Sequence, residues 1–246
     1  MENLLATPGL KKRFLNKKTL EKKPMQQINL EHFLELDLPF FEPKNVSRGG
    51  WSGVSRVDWS GQVYFVKRQV NYAYREARRL FLRTPTLRRE YKNTLRLNKI
   101  NIPTPEIVIY AEDGPNAMLV TRELTGYIDL NTYLPAAAPD QRSKMLASLL
   151  DIVICMHQSG YRHGCLYPKH IMVEEQNPTN IALIDLEKMK YSPLKKSNAV
   201  RDICQLIRQT ESWSDSDVKE IRDRYELQFQ GFTMELDRRL EYKTPA

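Results

Sequence analysis

From residue 45 onward the chain changes its hydrophobic period twice. In "NVSRGGWSGVSRVDW", Gly49, Gly50 and Gly53 read as a turn, and Val54 and Val57 begin an alternating strand. Trp59 to Gln62 reads as a second turn, and "VYFVKRQ" follows as a strand ending near Lys67. In "LRREYKNTLRLNKI", Leu87, Tyr91 and Leu95 recur at a helical spacing, with Asn98 and Lys99 one turn on. That predicts a partly amphipathic helix, closed by Pro103 and Pro105. "EIVIY", the turn "AEDGPN" and "AMLVTREL" then read as a hairpin, which completes a sheet of about five strands with one helix.

After Gly126 the period becomes mainly helical. Leu146, Leu149, Leu150, Val153 and Ile154 share a face over residues 140–158, with Asp140 as the expected N-cap and Gly160 as the stop. Ile171 to Val173 and "IALIDLE" read as short strands around the turn "EEQNPTN", and residues 199–210 and 215–229 as helices. Strands followed by helices predict an α+β fold of two lobes with a cleft between them. The expected divisions are a lead-in over 1–44, a sheet-bearing lobe over 45–125 and a helical lobe over 126–246.

Composition narrows the class. The 246 residues are 41% hydrophobic and 28% charged, as in an ordinary globular protein, with a formal net charge of +8. A basic surface calls for an anionic partner: nucleic acid, a phosphorylated molecule or an anionic membrane face. Lys11, Lys12, Arg13, Lys17, Lys18, Lys22 and Lys23 make the first segment a basic arm, and Arg75, Arg78, Arg79, Arg83, Arg88 and Arg89 form a second basic stretch. Cys155, Cys165 and Cys204 are too few for a disulfide scaffold and point to a reducing compartment. The N-terminus lacks the apolar core of a signal peptide, and no apolar run reaches the roughly 20 residues of a membrane span. The expectation is a cytoplasmic protein whose membrane contact is peripheral.

The densest chemistry lies in "HGCLYPKHIMV", residues 163–173. Cys155, His157, His163, Cys165 and His170 are zinc-type ligands, but their spacing matches none of the usual structural patterns. Cys165 beside His163 or His170 allows a cysteine nucleophile, which needs a base in reach and a third group to orient it. Phosphoryl transfer asks for positioned charge instead. It uses a glycine turn, a strand lysine, a helix acid to hold that lysine, a loop with metal-binding residues and an acid after a later strand. The chain presents Gly49, Gly50 and Gly53, then Lys67, Glu90, the 163–170 loop and Asp185, in that order.

With these residues the chain resembles the protein-kinase-like fold, and most closely the bacterial lipopolysaccharide kinase family of the WaaP/InaA type. "HGCLYPKHIMV" followed by "IALIDLE" is the most specific stretch, and the resemblance covers roughly residues 45–210. Kinases carry H-R-D-L-x-x-x-N in this loop, and here it reads H-G-C-L-x-x-x-H.

The resemblance implies ATP and Mg2+ as cofactors and a lipopolysaccharide core sugar, or another anionic acceptor, as partner. It implies work on the cytosolic side of the inner membrane. By the same resemblance Gly49, Gly50 and Gly53 cover the phosphates, Lys67 contacts them and Glu90 pairs with Lys67, with Glu76 as a rival. Backbone groups of Glu123 and Leu124 meet the adenine where the lobes join. Asp185 binds the metal, His170 replaces the metal-binding asparagine, and Asp202 braces the loop.

Cys165 is the departure, for it stands where kinases carry the acid that accepts the acceptor's proton. Such help is worth about 10²–10⁴-fold, whereas the loose transition state gains more from positioning and metal charge. Glu187 is the candidate substitute base, and Cys165 and His163 remain candidate catalytic groups. The alternative function is a degenerate pseudokinase or a regulatory module at the membrane surface. No recognised nucleic-acid motif is present and the aromatics are not spaced as a stacking platform, so nucleic acid is not the expected partner.

Overall fold

The computed structural model describes residues 37–47, 49–76 and 82–241. The lysine-rich arm, Arg78 and Arg79 lie outside the described residues, as do the side chains of Arg75 and Glu76.

The first lobe is a five-stranded antiparallel sheet in the order β1-β2-β3-β7-β6. Its strands are β1 (Asn45–Ser47), β2 (Gly50–Trp59), β3 (Gln62–Val70), β6 (Ile107–Asp113) and β7 (Asn116–Arg122). A separate two-stranded ribbon, β4 (Ala73–Glu76) with β5 (Leu82–Pro85), leads into helix α1 (Leu87–Asn98). Val57, Trp59, Val66, Met118 and Val120 pack one face of the sheet, while Leu87 of α1 packs with Ala117 and Leu119 on the other.

Two details differ from the sequence reading. Gly53 is not in the turn: it lies inside β2, paired with Arg68, and the ring of Phe40 occupies the space where a side chain would stand. The turn between β1 and β2 is the short one closed by the Ser47–Gly50 pair, with Gly49 at φ 77°. Helix α1 also buries a different face. Leu87, Glu90, Asn93, Thr94 and Leu97 are buried, whereas Leu95 is 40% exposed. The polar residues of that face meet the turn at 186–189, where Asn93 donates to Leu186 C=O and Met189 C=O.

The second lobe begins with β8 (Tyr127–Asp129) and α2 (Leu130–Ala136), followed by α3 (Pro139–Gln158). Asp140 is not the N-cap of α3. Ala138 holds that position with no side-chain cap, and Pro139 starts the helix, where its missing N–H costs nothing. Next come β9 (Tyr161–Arg162), β10 (Ile171–Glu174), β11 (Ile181–Leu183), β12 (Lys190–Tyr191), α4 (Lys195–Gln209), α5 (Asp215–Gln228) and α6 (Phe232–Glu241). The predicted apolar face of α3 forms the centre of the large core with Ile171, Val173, Ile203, Leu206, Tyr225 and Phe232. No helix among the described residues is long and apolar enough to cross a membrane.

Candidate active site

Strand β3 and helix α1 are locked together by one side chain. Lys67 and Gln69 lie two residues apart, so both point to the same face of the strand. The Gln69 side-chain oxygen Oε1 accepts the free N–H of Leu87 at 3.0 Å, and its Nε2 donates to the Thr86 hydroxyl. Gln69 thereby caps α1, which has no side-chain cap of its own at Thr86. The cap sets Glu90, one turn into the helix, against Lys67, and the two form an ion pair. Burial by itself lowers the Lys67 ammonium. The carboxylates of Glu90, Asp185 and Glu187 outweigh that and hold it above its ordinary value. Lys67 therefore stays charged and faces both lobes.

The loop and the acid of the second lobe come from one hairpin. β10 and β11 pair with Ile171 opposite Leu183, which brings His170 and Ile184 side by side, and Ile184 N–H donates to His170 C=O at 3.0 Å. Asp185, one residue further, adopts a left-handed backbone at φ 57°, ψ 57°. That bend turns its carboxylate out of the strand line to lie 42% exposed, with one oxygen 3.2 Å from His170 Nε2.

His170 Nδ1 donates to Cys165 C=O at 2.8 Å, so its Nε2 is left facing the carboxylate. At that spacing the two atoms can share a hydrogen bond or act together as donors to a cation. No group of three or more metal-type donors occurs among the described residues. Two protein donors suit Mg2+, which keeps several waters and substrate phosphates in its shell, although imidazole is a poorer partner for it than oxygen. The zinc reading, which needs about four closed ligands, has no cluster here.

The 163–170 loop is held from beneath by Asp202, which α4 presents 1% exposed. Its carboxylate accepts from His163 N–H at 2.6 Å and Gly164 N–H at 3.0 Å, and lies 3.1 Å from His157 Nε2. His157 Nδ1 in turn meets the Tyr225 hydroxyl at 2.9 Å. The helix acid named from the sequence, Asp202, thus braces the loop backbone.

His163 is fully buried. Its Nε2 donates to Ile184 C=O at 3.1 Å, and its Nδ1 accepts from Cys165 N–H at 3.3 Å. Burial pulls its imidazole below the ordinary value despite the nearby Asp202. With both ring nitrogens committed to backbone, neutral His163 has no lone pair to offer the Cys165 thiol, which removes the cysteine-nucleophile reading in that pairing.

Two neighbours of Asp185 point in opposite directions. Glu187 groups with Thr86, Lys67 and Glu90; burial first, then Glu90 and Asp185, raise its carboxyl above the ordinary value. It lies among the carboxylates that surround Lys67. Lys188 turns to the loop. The nearby Cys165 side chain, then Tyr167 and Asp185, raise the Lys188 ammonium above the ordinary value.

Gly164 makes this approach possible. At φ 80° it is in the region that favours glycine, and a side chain there would stand 2.8 Å from Lys188 C=O. Asn93 fixes the same turn from the other side, donating to Leu186 C=O at 2.8 Å and Met189 C=O at 3.0 Å. Sequence reasoning did not select Lys188 or Asn93. Nothing in their spacing marks them, because each partner is far along the chain.

Where the lobes join, Glu123 N–H is bonded to Val63 C=O at 3.0 Å and Leu124 C=O accepts from Tyr127 N–H at 3.2 Å. The Glu123 carboxylate pairs with Arg56 at 2.8 Å.

Lys67, paired with Glu90, lies within electrostatic reach of Asp185, which is paired with His170 beside a loop braced by a helix acid, and this is a kinase-type arrangement. The sequence signature of the lipopolysaccharide kinase (Kdo/WaaP) family matches residues 31–225. The chain belongs to that family.

Its relative "Protein InaA" from Escherichia coli (strain K12) is 28% identical over 204 residues, covering 79% of this chain and 94% of that protein. Among solved structures, WaaP in complex with acyl carrier protein aligns with TM-score 0.62 at 20% identity, covering 82% of this chain and 89% of that one. An aminoglycoside-3'-phosphotransferase of type VIII aligns with TM-score 0.55 at 15% identity, covering 81% and 92%. These structural likenesses bear on the fold, and they agree with a two-lobed kinase-like architecture.

Proposed function

We propose that this member of the lipopolysaccharide kinase family transfers the terminal phosphoryl group of Mg-ATP to a sugar hydroxyl of a lipopolysaccharide-type core. The observation that carries the reading is Lys67, held charged by Glu90, within electrostatic reach of Asp185, whose carboxylate is paired with His170.

A bound Mg-nucleotide supplies the phosphoryl group and the divalent charge that offsets its oxygens. Lys67 binds phosphate oxygens, Glu90 orients it, and Asp185 with His170 holds the metal. Gly49 and Gly50 form the turn over the phosphates. The Glu123 C=O and Leu124 N–H meet the adenine edge, beside Glu123 N–H and Leu124 C=O, which are bonded to Val63 and Tyr127. Gly53 serves by letting Phe40 pack against β2. Glu187 helps keep Lys67 charged. At the loop position where kinases carry an acid, Cys165 and the Lys188 ammonium lie together, so the chain meets the acceptor and phosphoryl oxygens with positive charge rather than a carboxylate base.

The test has two parts. Mg-ATP should raise the melting temperature of the wild type and not that of Lys67→Met or Asp185→Asn. Labelled phosphate should pass from ATP to lipopolysaccharide isolated from cells lacking the gene. Equal shifts in all three proteins would reject nucleotide binding at this site. Binding without transfer would favour the pseudokinase reading, which the buried Cys165 supports.

A further inference from the structure

A patch remote from the nucleotide groups combines exposed apolar side chains with unusually dense positive charge. Tyr191, Leu194 and Met234 are 65%, 68% and 63% exposed, three of the seven large apolar side chains exposed among the described residues. Tyr191 and Leu194 lie within five residues of Lys196 along the chain, and Met234 lines a groove with Lys196. Leu194 caps α4 two residues before Lys196, whose ammonium reaches Gln230 C=O at 3.3 Å and Glu235 at 3.7 Å. Lys196, Met234, Arg238 and Arg239 line a shared groove of about 600 Å³ between α4 and α6.

Lys190, Lys195, Arg238 and Arg239 are exposed around these apolar groups. Glu235 is paired with Lys196 and Asp237 with Arg222 at 2.6 Å, so the uncompensated acids nearby are Glu226, whose carboxylate accepts from Gly231 N–H and Thr233 N–H at 2.6 and 2.8 Å, and the exposed Glu241, against the four exposed cations. Net positive charge is therefore left facing outward. The patch is also continuous with the catalytic loop, because Lys190 pairs in register with Arg162, the residue before His163.

We propose that this face, built from β12, the start of α4 and α6, docks on an anionic lipid bilayer. Apolar side chains ringed by lysine and arginine gain from burial at the headgroup boundary and from the negative surface potential together. A bilayer accounts for both halves of the patch, whereas a soluble anion uses only the cations. Docking there sets the catalytic loop beside the membrane surface, where a glycolipid hydroxyl is found. The patch is separate from Lys67 and Asp185, so vesicle binding and nucleotide binding can fail independently.

The experiment is co-sedimentation of the full chain with vesicles of equal parts phosphatidylcholine and phosphatidylglycerol, and with phosphatidylcholine alone. Wild type should bind the first and not the second. Lys190→Gln, Lys195→Gln and Arg238→Gln together should weaken partitioning on the order of 100-fold, since each cation near an anionic surface contributes roughly fivefold. Leu194→Ser with Met234→Ser should weaken it further at high salt, where charge is screened. All these positions are exposed, so the Mg-ATP melting shift should persist and report that the variants fold. Binding of both variants within twofold of wild type would overturn the proposal and assign the affinity to the lysine-rich arm. No wild-type binding to anionic vesicles would overturn it outright. So would a concentration-dependent dimer that Leu194→Ser abolishes, because the patch would then cover a second copy of the chain.

Discussion

Asp202 offers the sharpest quantitative test of how the 163–170 loop is held. Its two carboxylate oxygens serve three donors, His163 N–H, Gly164 N–H and His157 Nε2, in a site 1% exposed. Asn in its place keeps one acceptor oxygen and turns an NH2 toward a donor, so at least one loop N–H loses its partner. A charge-assisted bond contributes about 1.5–3 kcal/mol, and an orphaned buried donor costs about 1–3 kcal/mol. These are two views of overlapping losses, so Asp202→Asn should cost about 2–4 kcal/mol. Asp202→Ala orphans all three donors and leaves a cavity, for about 3–5 kcal/mol. With a urea dependence of about 2–3 kcal/mol/M, the midpoint should fall by about 1–2 M. Urea unfolding followed by tryptophan fluorescence measures the shift, and amide hydrogen exchange should quicken at His163 and Gly164. Asp151→Asn is the control: Asp151 pairs with Arg224 but is 70% exposed, so little change is expected. If Asp202→Ala moved the midpoint no more than this control, the loop would not be held by the carboxylate.

Other consequences follow from the same contacts. Lys67→Met removes one charged contact to phosphate and should weaken Mg-ATP binding about 10–100-fold by fluorescent-nucleotide titration; a change under threefold argues against its role. Gly164→Ala meets both a left-handed backbone and the Lys188 carbonyl, and should destabilise by about 2–4 kcal/mol in urea unfolding. Cys165→Asp should raise phosphate transfer, since it restores a base beside Lys188; no gain would show that the missing acid is not what limits the rate. Asp217 gives a pH signature. Burial alone raises its carboxyl, but bonds from Arg142 and Ser214 outweigh this and hold it below the ordinary value. A depressed folded value means that the contribution is complete above the unfolded value of about 3.9 and is lost as pH falls below it. The stability gap between wild type and Asp217→Asn should therefore be wide at neutral pH and close in acid.

Much of the fold was legible along the chain. The alternation around Lys67, the hairpin over 107–122 and the apolar face of α3 all follow from local period, and each formed as expected. The failures share a cause. Gly53 reads as a turn residue, because a glycine's neighbour cannot be seen from the sequence: here the ring of Phe40 needs the space. The apolar period of α1 does not mark its whole buried face, because Glu90, Asn93 and Thr94 are buried there as well. The pair β4 and β5 reads as a basic stretch, since arginines mask a short ribbon.

Order and residue type alone determined that this chain would have a sheet with a strand lysine, a helix acid and a loop followed by an acid after a strand. These are local patterns, and local backbone energetics enforce them. Only the tertiary structure decided which groups meet. Glu90 reaches Lys67 because Gln69 caps its helix. Asp202 reaches the loop from 38 and 39 residues away. Lys188 takes its place beside Cys165 because Gly164 leaves room for its backbone. Such contacts depend on packing between elements distant in the chain, and no local period encodes them.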